Sequence, residues 1–151
     1  MLSPRGRLAL FSFLFLGWIG WLGYLVSKTR DPIVLSRPQI LVSNYVAVLR
    51  IGDKDGKPSA ETLVAETLKQ PAAGPALAKS ITVRDLPNLD ASHGWRGPGE
   101  YLVPLTVMNE QKNILITPVP MSPGFQPRNE PDVRIYPATP EVLRQFQLLG
   151  K

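Results

Sequence analysis

The sequence predicts a mainly β protein: one apolar N-terminal helix, a small β-barrel body, and a short amphipathic helix at the C-terminal end. Three observations lead there. Leu8–Val26, LALFSFLFLGWIGWLGYLV, contains no charged residue. Every proline except Pro4 falls after it, which forbids long helices almost everywhere downstream. Between those prolines, short segments alternate apolar and polar residues with the period of two that a half-buried strand requires. The boundaries that follow are a tail 1–7, an anchor 8–26, a juxtamembrane linker 27–38, a barrel module 39–117, a proline-rich strap 118–138 and a C-terminal helix 139–151. At this length the part after the anchor is one domain with a single core.

The anchor comes first. At about 1.5 Å per residue its helix spans roughly 28 Å, close to the roughly 30 Å hydrocarbon thickness of a bilayer. Trp18, Trp21 and Tyr24 lie in its second half, where Tyr24 and Trp21 reach headgroup depth, and no face of the run is polar. A cleaved signal peptide would need small residues at the −3 and −1 positions of a cut; Leu25, Val26, Ser27 and Lys28 supply no such pair, so the segment reads as an uncleaved anchor. Gly17, Gly20 and Gly23 form a narrow smooth strip, without the GxxxG spacing of a helix-pairing motif. Arg5 and Arg7 before the run nearly balance Lys28, Arg30 and Arg37 after it. Charge therefore leaves the orientation open, and the position of the anchor at the start of the chain favours an inside N-terminus and an extracytoplasmic body.

Composition narrows the chemistry. The chain has no cysteine, which removes disulfides, zinc–thiolate sites and cysteine nucleophiles. Its formal charge of +5 falls to +3 once Arg5 and Arg7 are set aside, and the remainder is too dispersed for a nucleic-acid patch. Lys28, Arg30 and Arg37 suit anionic lipid headgroups instead.

Along the body, Pro32 and Pro38 bias the linker to extended conformations. Gln39–Ile51, QILVSNYVAVLRI, is apolar on both faces and reads as a buried central strand, with Tyr45, Ala47, Leu49 and Ile51 on one side. GDKDGKP is a turn carrying Asp-Gly; the calcium reading of Asp53 and Asp55 fails because the twelfth position of such a loop would be Val64. Ser59–Gln70 fits either a helix capped by Ser59 or a strand, and the hairpin turn before it favours the strand. Pro71–Ala78 is a loop of small residues, and SITVRDLP a short strand ending at Pro87. GEYLVPLTVM is a strand with Tyr101, Val103, Leu105 and Val107 on one side, and Pro104 suggests an edge or a bulge. NEQKN turns the chain into ILITPVP, and the strap then runs extended, with VRIY as a last strand lying across the barrel over an open edge. Its PxxP spacings and the isolated Met108 and Met121 carry no function of their own. Thr139 as N-cap, Pro140 at the first position and Glu141 open the final helix, with Val142, Leu143, Phe146 and Leu149 on one face and Arg144, Gln145 and Gln147 off it.

Chemistry, if present, would sit in DASHGWRGPG, Asp90–Gly99. It holds the sole histidine, His93, beside Trp95, Arg96 and three glycines. Asp90 and Glu100 are the partners His93 would need for acid–base work or a metal. One histidine without a second His or Cys makes a poor transition-metal site, Ser92 beside His93 is no nucleophilic device by itself, and no helix start follows the glycines to hold a phosphate. The loop reads first as a lid in which Trp95 closes one end of the core. Phe146 offers a helix-face contact, so the candidate partner surface is Trp95, Arg96, His93 and Phe146.

VSNYVAVLRI, a turn, LVAETLK, SITVRDLP and GPGEYLVPL, over Gln39–Leu105, resemble the strand succession of netrin-like domains, the OB-type small barrels shared with tissue inhibitors of metalloproteinases. That resemblance implies an OB-like β-barrel. Eukaryotic members carry disulfides that this chain lacks, so inhibitor function does not transfer and no residue of a family site maps here. One anchor plus a small barrel is also similar to the layout of bacterial haem chaperones of cytochrome c maturation, whose haem-attaching histidine sits in an H-x-x-x-Y context; here Gly97 stands four residues after His93. The expectation is a single-pass, membrane-anchored, non-enzymatic binding or assembly module without cofactor, embedded through residues 8–26, with a membrane or extracytoplasmic protein partner. The rival is a metal or haem carrier or hydrolase using His93.

Overall fold

The computed structural model describes residues 4–28, 33–108, 113–121, 124 and 131–149. It separates into two compact units, Met1–Pro32 and Ile33–Lys151. The first is a single helix, α1 (Pro4–Lys28), in which no described side chain is buried. It is long and apolar enough to cross a membrane by length and composition. Along it Trp21 and Tyr24 pack at 5.9 Å between ring centroids.

The second unit is mainly β, a sheet curled into a half-barrel. Its elements are α2 (Arg37–Val42), β1 (Tyr45–Lys54), β2 (Lys57–Lys69), β3 (Ser80–Thr82), β4 (Gly99–Met108), β5 (Asn113–Ile116), β6 (Tyr136–Pro137) and α3 (Pro140–Leu149). The strand order is β3-β2-β1-β4-β5, antiparallel throughout, with β6 added to β4. One parallel bridge, Val83 to Ile114, joins the segment after β3 to β5, with Arg84 N–H donating to Ile114 O at 3.2 Å.

β1 is central, as its two apolar faces require. Tyr45, Ala47, Leu49 and Ile51 point inward, where they meet Tyr101, Val103 and Leu105 of β4, Ile114 and Ile116 of β5, and Ile81, Leu86, Leu89 and Trp95. Each such buried side chain contributes about 1.5–3 kcal/mol relative to exposure. The β1–β2 turn is the Asp-Gly hairpin, with positive φ at Asp55 (56°) and Gly56 (79°) and Asp53 Oδ1 accepting the Gly56 N–H at 2.8 Å. β2 is a strand, and its ambiguity has a cause: the β1–β2 register slips three times, and the two slips between Val46 and Leu49 oppose Leu49 to Val64 but Val46 to Lys69. Val64 therefore packs inward and Leu68 outward, which breaks the period of two and also tightens the curl.

A second, outer layer covers one end of the sheet: Val46 and Leu102 packed under Leu35, Ile40, Tyr136 and Val142. Here the chain departs from expectation. Residues 37–42, read as linker and strand, form α2, because Pro38 presets its first turn and Gln39 and Ile40 bury on its inner side. Gln39 is fully buried; its Nε2 donates to Thr117 O (2.7 Å) and Arg134 O (3.1 Å), and its Oε1 accepts from Tyr136 Oη (2.8 Å). Of the expected linker, Ser27 and Lys28 belong to α1, residues 29–32 lie outside the described residues, and Leu35 is buried in the outer layer. Pro104 is on no edge, since β4 pairs with β1 on one side and with β5 and β6 on the other. Its carbonyl accepts Thr117 N–H just beyond β5, so its missing donor faces a point where the ladder has ended. Within the strap, the last strand is Tyr136–Pro137 rather than VRIY and pairs with β4; residues 122–123 and 125–130, and 109–112 of the expected NEQKN turn, lie outside the described residues. In α3, Thr139 Oγ1 accepts the Val142 N–H at 3.3 Å. Gln145, placed off the packing face by its sequence position, instead clamps the leading segment: its Nε2 donates to Ile33 O (2.9 Å) and its Oε1 accepts Leu35 N–H (3.2 Å).

Candidate functional site

The loop between β3 and β4 is built from two single 3₁₀ turns, Leu86–Asn88 and Ala91–His93. Asp90 caps the second: its Oδ1 accepts from Ser92 N–H (2.9 Å) and Ser92 Oγ (2.5 Å) and lies 2.7 Å from His93 Nδ1. The hydrogen bonds from Ser92, then that from His93, hold the Asp90 carboxyl down at about 2. Gly94 ends the turn at φ 97° and lets the strap close on it, since a Cβ there would stand 2.1 Å from Ile135 O. Ile135 N–H donates to His93 O at 2.9 Å, fixing strap to loop.

Between this loop, β4, β5 and the strap lies a groove of about 580 Å³. Its walls are largely apolar, from Leu89, Met108, Ile116 and Val133, and its polar groups are His93, Asp85, Asn88 and Thr106. Asp85 Oδ2 accepts Ile116 N–H at 3.3 Å, and the Thr106 and Thr117 hydroxyls meet at 2.9 Å, so two of these groups also serve the scaffold. An apolar trough with a few fixed polar groups suits an apolar ligand segment oriented by one or two hydrogen bonds.

The four residues singled out from sequence do not converge. His93 lines the groove with its side chain 30% exposed. Trp95 is 8% exposed in the inner core and stacks on Tyr101, ring centroids 5.4 Å apart. That is the lid role the loop composition suggested. Arg96 is exposed, and its backbone N–H donates to Tyr101 Oη (3.1 Å), which donates on to Gly97 O (2.7 Å). Phe146 is half-buried against the outer layer, on the opposite face of the sheet from the Trp95 core.

The catalytic partnerships also resolve. Glu100 pairs with Arg50 at 2.7 Å across β1 and β4. In a hydrolytic triad the hydroxyl and the carboxylate occupy different ring nitrogens of the histidine. Here Ser92 Oγ (3.3 Å) and Asp90 Oδ1 (2.7 Å) both lie on Nδ1, and Ser92 gives its proton to Asp90. The trio is a capped turn. Among the described residues no three His, Cys, Asp or Glu side chains gather as a metal site would need. The groove residues Asp85, Thr106 and Val133 carried no motif; only the tertiary path of β4, β5 and strap brings them together.

The chain matches no protein-family model, no curated protein and no solved structure.

Proposed function

We propose that the protein is a single-pass, membrane-anchored, non-enzymatic binding module, with α1 in the bilayer and the β body displayed on the extracytoplasmic side. The observation that carries this reading is α1 itself: Phe11, Phe13, Leu14, Trp18 and Trp21 each expose about half or more of their surface, along a helix without a polar face. So much apolar surface calls for lipid around it. We read the body as OB-like from its five-strand path β3-β2-β1-β4-β5, whose ends are brought together by a parallel bridge. The groove beside His93 is where a protein partner seats, through an apolar segment.

Alkaline carbonate extraction of membranes carrying the full chain tests the anchor: the protein stays with the lipid, and recovery in the supernatant without its first two dozen residues overturns the reading. A photo-crosslinking side chain at Val133, followed by mild-detergent purification, tests the module. One stoichiometric adduct is expected; a clean monomer speaks against it.

A further inference from the structure

The elements forming the outer layer bury one side and present apolar residues on the other. Val34 is 71% exposed, Leu41 59%, Val42 55% and Leu148 66%, while their neighbours Leu35, Ile40 and Val142 are buried. Leu41 and Val42 are held outward by fixed geometry: Lys69 Nζ donates to the carbonyls of Ile40 (2.8 Å), Leu41 (3.2 Å) and Ser43 (2.8 Å), closing the end of α2 with a positive charge. Leu148 stands one turn beyond Gln145, the residue clamped to Ile33 and Leu35 on either side of Val34. Arg37 and Arg144, both exposed, lie on the same helices.

What covers this face follows from the length of the chain. Only residues 29–32 separate Lys28, the last residue of α1, from Ile33, and an extended chain advances at most about 3.5 Å per residue. Five such steps limit the tether to roughly 17 Å. From this we infer that Val34, Leu41, Val42 and Leu148 form a lipid-contacting collar that rests in the headgroup layer of the bilayer holding α1. The inference rests on the anchor reading. Apolar side chains at this depth enter the acyl boundary while Arg37 and Arg144 meet anionic headgroups, so the body is moored by a surface as well as by a tether.

The chain has no cysteine, so single labels need no background substitution. Val34→Cys, Leu41→Cys, Val42→Cys and Leu148→Cys, each in the full chain, are nitroxide-labelled in vesicles of mixed phosphatidylcholine and phosphatidylglycerol. Phe15→Cys reports on the anchor. Glu61→Cys, an exposed position about 26 Å along β2 from Lys69, reports on water. Collision with oxygen relative to a water-soluble nickel chelate is expected to be several-fold higher at the four collar sites than at Glu61. Collar labels as nickel-accessible as Glu61, with Phe15 in lipid, overturn the collar and leave the anchor standing. Phe15 in water overturns both. Collar labels shielded from oxygen and nickel alike indicate a protein cover and overturn the lipid assignment.

Discussion

On the inner face of the curled sheet Leu49, Ile51, Leu105 and Ile116 pack against one another as a purely apolar set, whereas on the outer face Val46, Leu102 and Val142 share their layer with Gln39, Gln145 and Tyr136. The inner face is specified by side-chain period: every second residue of β1 and β4 points into it. The outer face is specified by polar side chains that reach backbone groups far away in sequence, Gln39 to Thr117 and Arg134, Gln145 to Ile33 and Leu35. Apolar burial is non-directional and tolerates repacking, while a buried amide must find its partners at defined positions or cost the desolvation of each unmet group.

The sharpest way to break the inner face is Leu49→Ala, which empties a fully buried site between β2 and β4 and should cost about 2–5 kcal/mol in urea unfolding of the detergent-solubilised chain. On the outer face, Gln39→Ala orphans the acceptors at Thr117 and Arg134 and the Tyr136 hydroxyl, for about 1–3 kcal/mol by the same measurement. An effect of Gln39→Ala below the noise of Leu49→Ala would show that the amide is dispensable and the two faces alike.

Gly94→Ala tests the hinge between loop and groove. Its positive φ alone costs about 1–2 kcal/mol, and its Cβ would displace the Ile135 carbonyl, so the strap should lose protection from amide exchange around Ile135. Tyr136 supplies a pH test of the outer face. Burial raises its phenol above the usual value, and Ser36 N–H, at 3.1 Å, partly offsets this. The unfolded chain then loses this proton first, so the stability it provides is complete below about pH 10 and declines as pH rises through the folded value. Tyr136→Phe should flatten that alkaline decline. The smallest effect belongs to Asp90, fully exposed and held near 2: its contribution is present above the ordinary 3.8 and fades as pH falls toward 2. Ser92→Ala should move the carboxyl titration, followed by carbon NMR, upward toward 3.8; an unmoved midpoint would deny the capping hydrogen bonds.

What could be read from residue order divides along the same line. The inward faces of β1 and β4, the Asp-Gly hairpin, the capped C-terminal helix and the apolar first helix all rest on local chemistry, and all are present. α2 was hidden inside a strand-like apolar run because its reason, the partners of Gln39, lies 78 and 95 residues away. Pro104 misled because a proline's place in a sheet depends on which neighbour its missing donor faces. At the site, the loop was visible from its glycines and lone histidine. The groove was not, since β5 and the strap supply most of its far wall without any motif.

The bond from Gln145 to Ile33 crosses 112 residues. During synthesis, the leading segment of the body therefore waits for its fastener until 112 further residues have been made. Contacts of that separation close slowly, of order milliseconds to seconds in β proteins, and until then the outer flank of the sheet stands bare. Removing residues 140–151 should therefore do more than shorten a tail: it would leave the nascent body unable to complete itself.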